Sequence, residues 1–197
     1  MARIVVQEFL TLDGVAQGPG DVDEDRDGGF DRGGWQRGYD LTDVLLDWES
    51  RTAALLLGRR TYEIWADAWG VWPEDAPGLM GEFTRRYNRI TKHVASRTLD
   101  AVGWRNSVLV RDVPAEVAQL RKLEFDDDGE IRVWGSTRLV QSLAAHDLVD
   151  EYRLITYPVV LGAGKRLFDD GMRAQLRLID SRATDSGLVI STYRPAR

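Results

Sequence analysis

The chain has no cysteine and only two histidines, His93 and His146, in 197 residues. Disulfides, thiolate nucleophiles and cysteine-bound metals are thereby excluded. The two histidines show no ligand spacing, so no metal site is expected. Lysine is nearly as scarce: Lys92, Lys122 and Lys165 are the only three, and arginine carries the remaining positive charge. No apolar run approaches the ~20 residues that span a bilayer. From Met1 into the alternating stretch 3–10 there is no basic segment, apolar core or small-residue cleavage site of a signal peptide. The expectation is a cytoplasmic protein with no membrane partner. A net charge of −6 argues against nucleic acid as a partner, because phosphate backbones select basic surfaces. A local cluster of arginines is still enough for one phosphorylated small ligand.

With 43% hydrophobic residues the chain has the composition of an ordinary globular protein. Its length supports one domain, residues 1–197, able to bury roughly 70% of its unfolded surface without staples. Residues 2–12 read as a strand stopped by Asp13-Gly14, and residues 14–38 as a long Gly/Asp-rich loop. The carboxylates of that loop lack a glutamate at the closing position of a calcium loop and read as solvated. Apolar spacing predicts a helix over 41–53 and a wholly apolar buried strand over 54–57. Helices are expected at 61–68, 78–88, 114–123 and 137–145. Strands are expected at 90–95, 107–110, 131–134 and 150–157, with Pro158 ending the last. Residues 126–129 read as an acidic turn, and 176–183 with 188–193 as a final hairpin. Strands alternating with helices, then a late hairpin, predict an α/β sandwich: a mostly parallel sheet covered on both faces, with antiparallel strands at one edge.

Two strand-to-helix turns stand out. Leu57-Gly58-Arg59-Arg60-Thr61 ends an apolar strand at a glycine and starts a helix; Trp134-Gly135-Ser136-Thr137 does the same later. Free N–H groups at a helix start form an anion site, strengthened by the helix dipole. Gly58 would let a phosphate approach, Arg59 would add charge, and Thr61 would cap the helix or bond a phosphate oxygen. A plain helix cap is an equal reading of that segment alone. Two such turns in one sheet fit an extended diphosphate better than one does. Neither is a G-x-G-x-x-G turn, which disfavours a standard Rossmann site. Ser96-Arg97-Thr98, at a strand end, pairs a hydroxyl with a guanidinium, which suits a 2′-phosphate; alone, Arg97 reads more simply as a solvated loop residue.

These segments occur in one order with Thr11-Leu12-Asp13-Gly14, residues 147–152 (DLVDEY) and residues 158–168 (PVVLGAGKRLF). Together they resemble the dihydrofolate reductase superfamily. The nearer likeness is to the reductase half of the bifunctional riboflavin-biosynthesis deaminase–reductase, and a protein without the zinc deaminase half is expected. The resemblance spans about residues 3–193. It implies a dihydrofolate-reductase-like three-layer fold, NADPH as cofactor, and a homodimer paired through the strand-rich part near residues 150–167. It places Gly58, Arg59 and Thr61 near the adenosine side, Ser96 and Arg97 near the 2′-phosphate, and Gly135, Ser136 and Leu139 near the diphosphate. Leu12, Asp13 and Gly14 would border nicotinamide and substrate. The implied activity is reduction of a pteridine- or pyrimidine-like heterocycle, with 5-amino-6-(5-phosphoribosylamino)uracil as the specific candidate. Dihydrofolate reductase proper and a non-catalytic NADPH-binding sensor are the alternatives.

Reduction of a carbonyl or imine needs a proton as well as a hydride. The candidate donors are Asp13, at the mouth of the first strand, and Asp43 or Asp47, on the following helix. Dihydrofolate reductase uses a carboxylate on the equivalent helix, and Asp43 lies fifteen residues before Gly58. A turn aspartate and a helix-start carboxylate are the simpler readings of Asp13 and Asp43. Trp65, Trp69 and Trp72, at near-helical spacing, read as core or subunit contact before they read as a slot for a flat ring.

Overall fold

The computed structural model describes residues 1–125, 128–168 and 170–196. Two residues of the expected acidic turn at 126–129, Asp126 and Asp127, lie outside the described residues. Eight strands form one sheet: β1 (Arg3–Thr11), β2 (Thr52–Gly58), β3 (Thr91–Ala95), β4 (Ser107–Val110), β5 (Glu130–Trp134), β6 (Glu151–Tyr157), β7 (Leu176–Ala183) and β8 (Val189–Pro195). Their order is β4-β3-β2-β5-β1-β6-β8-β7. The six strands from β4 to β6 are parallel, whereas β8 runs antiparallel to β6 and pairs with β7 at the edge.

Among the described residues five α-helices cover the sheet: α1 (Thr42–Ser50), α2 (Arg59–Ala68), α3 (Gly78–Arg89), α4 (Val113–Leu120) and α5 (Thr137–Ala145). β2 is apolar on both faces, as a strand sandwiched between helices requires, whereas β1 and β5 bury Gln7, Glu130 and Arg132 on one face. Alternation in β1, β2 and β5 sends Ile4, Val6, Leu56, Ile131 and Val133 against α4 and α5. Leu55 and Leu57 face Tyr62 of α2 and Phe83 and Tyr87 of α3. Val44 and Trp48 of α1 pack near β6, against Ile155 and Tyr157. This is the three-layer arrangement expected from the sequence, with its antiparallel hairpin.

The boundaries moved where tertiary pairing overrides local pattern. The helix expected through Ala53 ends at Ser50, because Thr52 and Ala53 already belong to β2. Helix α2 starts at Arg59, so Thr61 lies inside its first turn and is not the cap. The loop over 14–38 is anchored rather than free. Trp35 is buried against Tyr157, and its indole N–H donates to the Gln17 carbonyl at 2.8 Å.

Candidate active site

Parallel strands place all their carboxyl ends on one side, and the loops leaving them surround whatever binds there. Here the ends of β1, β2, β3 and β5 open into a cleft of about 1860 Å³. Pockets for a single drug-sized ligand run to about 1,000 Å³, so this one has room for an extended ligand and a second molecule.

One wall is made by the two glycine turns, which turn out to be a single unit. Ser136 sits at the start of α5 in the left-handed region (φ 61°). Its Oγ accepts from the Gly58 backbone N–H at 2.8 Å and donates to Thr61 Oγ1 at 2.8 Å. A Cβ on Gly135, where φ is +52°, would meet Thr61 Oγ1 at 2.8 Å; one on Gly58 would meet Ser136 Oγ at 3.0 Å. The facing hydroxyls therefore leave no room for a side chain at Gly135 and little at Gly58. With Ser136 committed across the gap, neither α2 nor α5 has a side-chain cap. Both helices therefore begin in the cleft wall with unsatisfied N–H groups and a positive dipole end. The Thr61 hydroxyl, having accepted from Ser136, keeps its hydrogen for another acceptor.

Arginines ring this wall: Arg59, Arg60, Arg97, Arg111 and Arg138 all line it. Ser96 Oγ accepts from the N–H groups of Thr98 (3.2 Å) and Leu99 (3.0 Å), closing the turn that presents Arg97. Arg111 fixes the same turn by donating to the Ser96 carbonyl at 2.8 Å. Arg60, Arg111 and Arg138 were not singled out in the sequence. Arg138 lies next to the Gly-Ser turn and was within reach of that motif, whereas Arg111 is placed only by β3–β4 pairing.

The cleft is also lined by carboxylates, Glu8, Glu24, Asp25 and Asp27, and by the rings of Phe9, Tyr39, Trp134 and Tyr157. The loop carboxylates are not simply solvated, as the sequence reading had them. Lys165 Nζ bridges Asp25 (2.7 Å) and Asp27 (2.9 Å), and Glu24 Oε2 accepts from the Gly20 and Asp21 N–H groups. Burial pushes the Glu24 carboxyl above the ordinary range. Trp65, Trp69 and Trp72 pack edge to face in succession, Trp65 and Trp69 within the α2–α3 core, and show part of their surface to the cleft.

Of the expected site residues, Gly58, Arg59, Thr61, Ser96, Arg97, Gly135, Ser136 and Leu139 come together in this cleft. Leu12, Asp13, Gly14 and Asp43 are not among its lining residues. Asp43 and Asp47 lie on the exposed face of α1, because Val44 and Trp48 take the buried one. Leu12 is 68% exposed. Asp13 accepts from the Thr11 hydroxyl at 2.7 Å and from the N–H groups of Leu161 (3.1 Å) and Gly162 (2.8 Å). The Thr11 hydroxyl above all, with those two N–H groups, holds its carboxyl at about 2. A carboxylate so bonded is a poor proton donor. Thr11-Leu12-Asp13-Gly14 and residues 158–168 are thus the two halves of one clasp. Ala16 donates its N–H to the Lys165 carbonyl at 2.8 Å, and the Lys165 N–H donates to Gln17 Oε1 at 3.0 Å. Among the described residues no group of three or more His, Asp or Glu side chains is disposed to hold a metal ion, and no helix is long and apolar enough to cross a membrane.

The fold is that of dihydrofolate-reductase-like proteins. Dihydrofolate reductase of Enterococcus faecalis, solved with NADP(H) and RAB-propyl, superposes with a TM-score of 0.61 over 99% of this chain and 97% of its own, at 13% identity. A protein of Shewanella sp. PV-4 described under riboflavin biosynthesis covers 100% of both chains at 23% identity, with a TM-score of 0.69. A pyrimidine reductase-like protein of Corynebacterium diphtheriae gives a TM-score of 0.59 at 14% identity, over 100% of this chain and 92% of that one. The model of the RibD C-terminal domain matches residues 2–190, and the chain belongs to that family. The Bacillus subtilis (strain 168) protein YyaP, itself uncharacterized, is 30% identical over 196 residues, 97% of this chain and 94% of the relative.

Proposed function

We propose that the protein is an NADPH-dependent reductase of a pteridine- or pyrimidine-like heterocycle. The observation that carries this reading is the Ser136-locked pair of uncapped helix starts, ringed by arginines, at one side of a cleft large enough for two molecules. The residues fit a dinucleotide: the N–H groups of α2 and α5, with Thr61, Ser136 and Arg138, would hold the diphosphate, and Arg59 the adenosine side. Arg97, on the turn fixed by Ser96 and Arg111, would take the 2′-phosphate. When bound, the cofactor supplies a hydride. The chain's own part is to orient the reacting partners, exclude water and deliver a proton.

The carboxylates and aromatic rings that line the cleft suit a flat ring that presents N–H donors. Within that class the specific candidate is 5-amino-6-(5-phosphoribosylamino)uracil. Its phosphate would need Arg37 or Lys165 released from the aspartates they pair with. Function in the cytoplasm as a homodimer belongs to the same reading, and sedimentation of the purified protein measures the second part.

A thermal melt with NADPH, NADH or neither tests the cofactor. At about 100 times the dissociation constant, ligand should add about 2.7 kcal/mol of stability, a rise of roughly 5–10 °C for a chain of this size. A shift with NADPH and no turnover of any heterocycle would favour the sensor reading; no shift with either nucleotide would remove the reductase reading. Arg97→Ala should weaken NADPH about 10- to 100-fold while leaving NADH unchanged, since a charge-assisted contact contributes about 1.5–3 kcal/mol. Equal weakening of both nucleotides would exclude Arg97 as the 2′-phosphate ligand.

A further inference from the structure

Glu8 lies in the middle of β1 and is 3% exposed, and its Oε1 has no hydrogen-bond partner among the described residues. Strand alternation puts it on the face of Ile4, Val6 and Leu10, where that face stops being core and becomes cleft wall beside Ala16, Gln17 and Gly135. Gln7 pairs with Trp134, so Glu8 falls in the row of Gly135, one strand from the helix starts that would hold the diphosphate. Its partner on the other side is the apolar Leu154.

Among the described residues no cation compensates it. Lys165 is held by Asp25 at 2.7 Å and Asp27 at 2.9 Å, and Arg60 Nε lies 3.7 Å from Asp25. Among the described residues no salt bridge reaches Glu8, and Glu24 adds a charge of the same sign nearby. Burial first, and Glu24 second, push the Glu8 carboxyl well above the ordinary carboxylate range. An acid so placed holds its proton to higher pH than a solvated carboxyl does.

We propose that Glu8 is the proton donor of the cleft, a neutral carboxylic acid that protonates the nitrogen or oxygen of the substrate's C=N or C=O bond while the carbon receives hydride from the reduced nicotinamide. The inference rests on the reductase reading above. The π bond breaks, a C–H bond forms from the hydride, and an N–H or O–H bond forms from the Glu8 proton. The substrate gains two electrons, which leave the nicotinamide oxidised, and the Glu8 carboxylate recovers a proton from water as product departs. Neither aspartate expected from the sequence meets this need: Asp13 is held as an anion and Asp43 faces away.

Glu8→Gln keeps the shape and removes the titration. Glu24, Asp25, Asp27, Lys165, Arg138 and His146 also face the cleft and both proteins retain them, so the difference reports Glu8 together with its coupling to Glu24. A folded-state value raised above 4.5 means that the native protein holds a proton the unfolded chain has lost. Wild type therefore loses stability relative to the variant as pH rises from 4.5 to the Glu8 value, and the gap levels off above it. The difference in melting temperature should grow by about 3 °C per pH unit in that window; a gap that stays flat overturns the proposal.

Turnover is read as NADPH oxidation with 5-amino-6-(5-phosphoribosylamino)uracil or 7,8-dihydrofolate as probe. Glu8→Gln should lower the rate about 100- to 10,000-fold, with the NADPH-induced melting shift retained. Glu24→Gln, which removes the like charge and leaves Glu8 in place, should move the high-pH fall in rate to lower pH. Turnover by wild type and Glu8→Gln alike overturns the donor role and leaves the reductase reading standing. Turnover of neither probe by wild type overturns both.

Discussion

Glu130→Ala is expected to lower the unfolding free energy by about 3–5 kcal/mol and the melting temperature by roughly 10 °C. Glu130 is fully buried at the start of β5, and three guanidinium groups converge on its carboxylate. Arg132 Nη2 lies at 2.9 Å, Arg153 Nη2 at 2.7 Å, and Arg3 also donates to it. Arg132 is itself enclosed, donating to the Trp48 carbonyl at 2.7 Å and to Gln7 Oε1. Burial brings the Arg132 guanidinium down to about 10, with the Glu49 charge opposing that fall, so it remains charged at neutral pH. Taking away the shared carboxylate leaves two buried cations under-compensated, and no water reaches them without opening the sheet. Urea or thermal melts measure the loss. Because the network starts at the amino end of β5, away from the cleft, NADPH should still raise the melting temperature of the variant. A loss below about 1 kcal/mol would mean that the arginines relax to solvent and that the network contributes little.

Gly135→Val should abolish the NADPH-induced melting shift, a loss of about 100-fold or more in affinity. A β-branched residue at φ +52° is strained by about 1–3 kcal/mol, and its Cβ would press on Thr61 Oγ1 from 2.8 Å. Relief comes from turning the Thr61 side chain or parting α2 from α5; either breaks the Ser136 bridge to Thr61, and the second also moves both sets of N–H groups. Positioned donors lose most of their benefit when displaced by about 1 Å. Gly103→Ala is the control: nothing lies within 4 Å of a Cβ there, so stability and the NADPH shift should be unchanged. Retention of full NADPH affinity in Gly135→Val would show that the paired turns do not hold the cofactor.

The layers and strand directions were legible because apolar runs of strand length, such as residues 54–57, and helical spacing around residues 137–145 report burial locally. The glycine turns and the Ser96-Arg97 turn were legible for a similar reason, since each spells a strand end and a helix or loop start within a few residues. Asp43 misled because the carboxylate spacing to Gly58 says nothing about which face of α1 is buried; Val44 and Trp48 decide that by packing near β6. Asp13 misled because its three donors come from Thr11 and from a segment 148 residues away. Glu8 gave no local signal at all. In the sequence it is one polar residue in a strand, and only the closure of the 14–38 loop and the row shared with Gly135 make it a buried acid.

The sequence by itself determined the order and type of the elements, the clustering of motifs at strand ends and the fold family, because propensity, periodicity and turn chemistry act over a few neighbouring residues. Tertiary structure alone decided that β5 inserts between β1 and β2. That neighbourhood brings Ser136 to Gly58 across 78 residues and puts Glu8 in line with Gly135. Contacts between distant segments follow from which strands pair, and pairing is settled by the packing of the whole sheet between its helices.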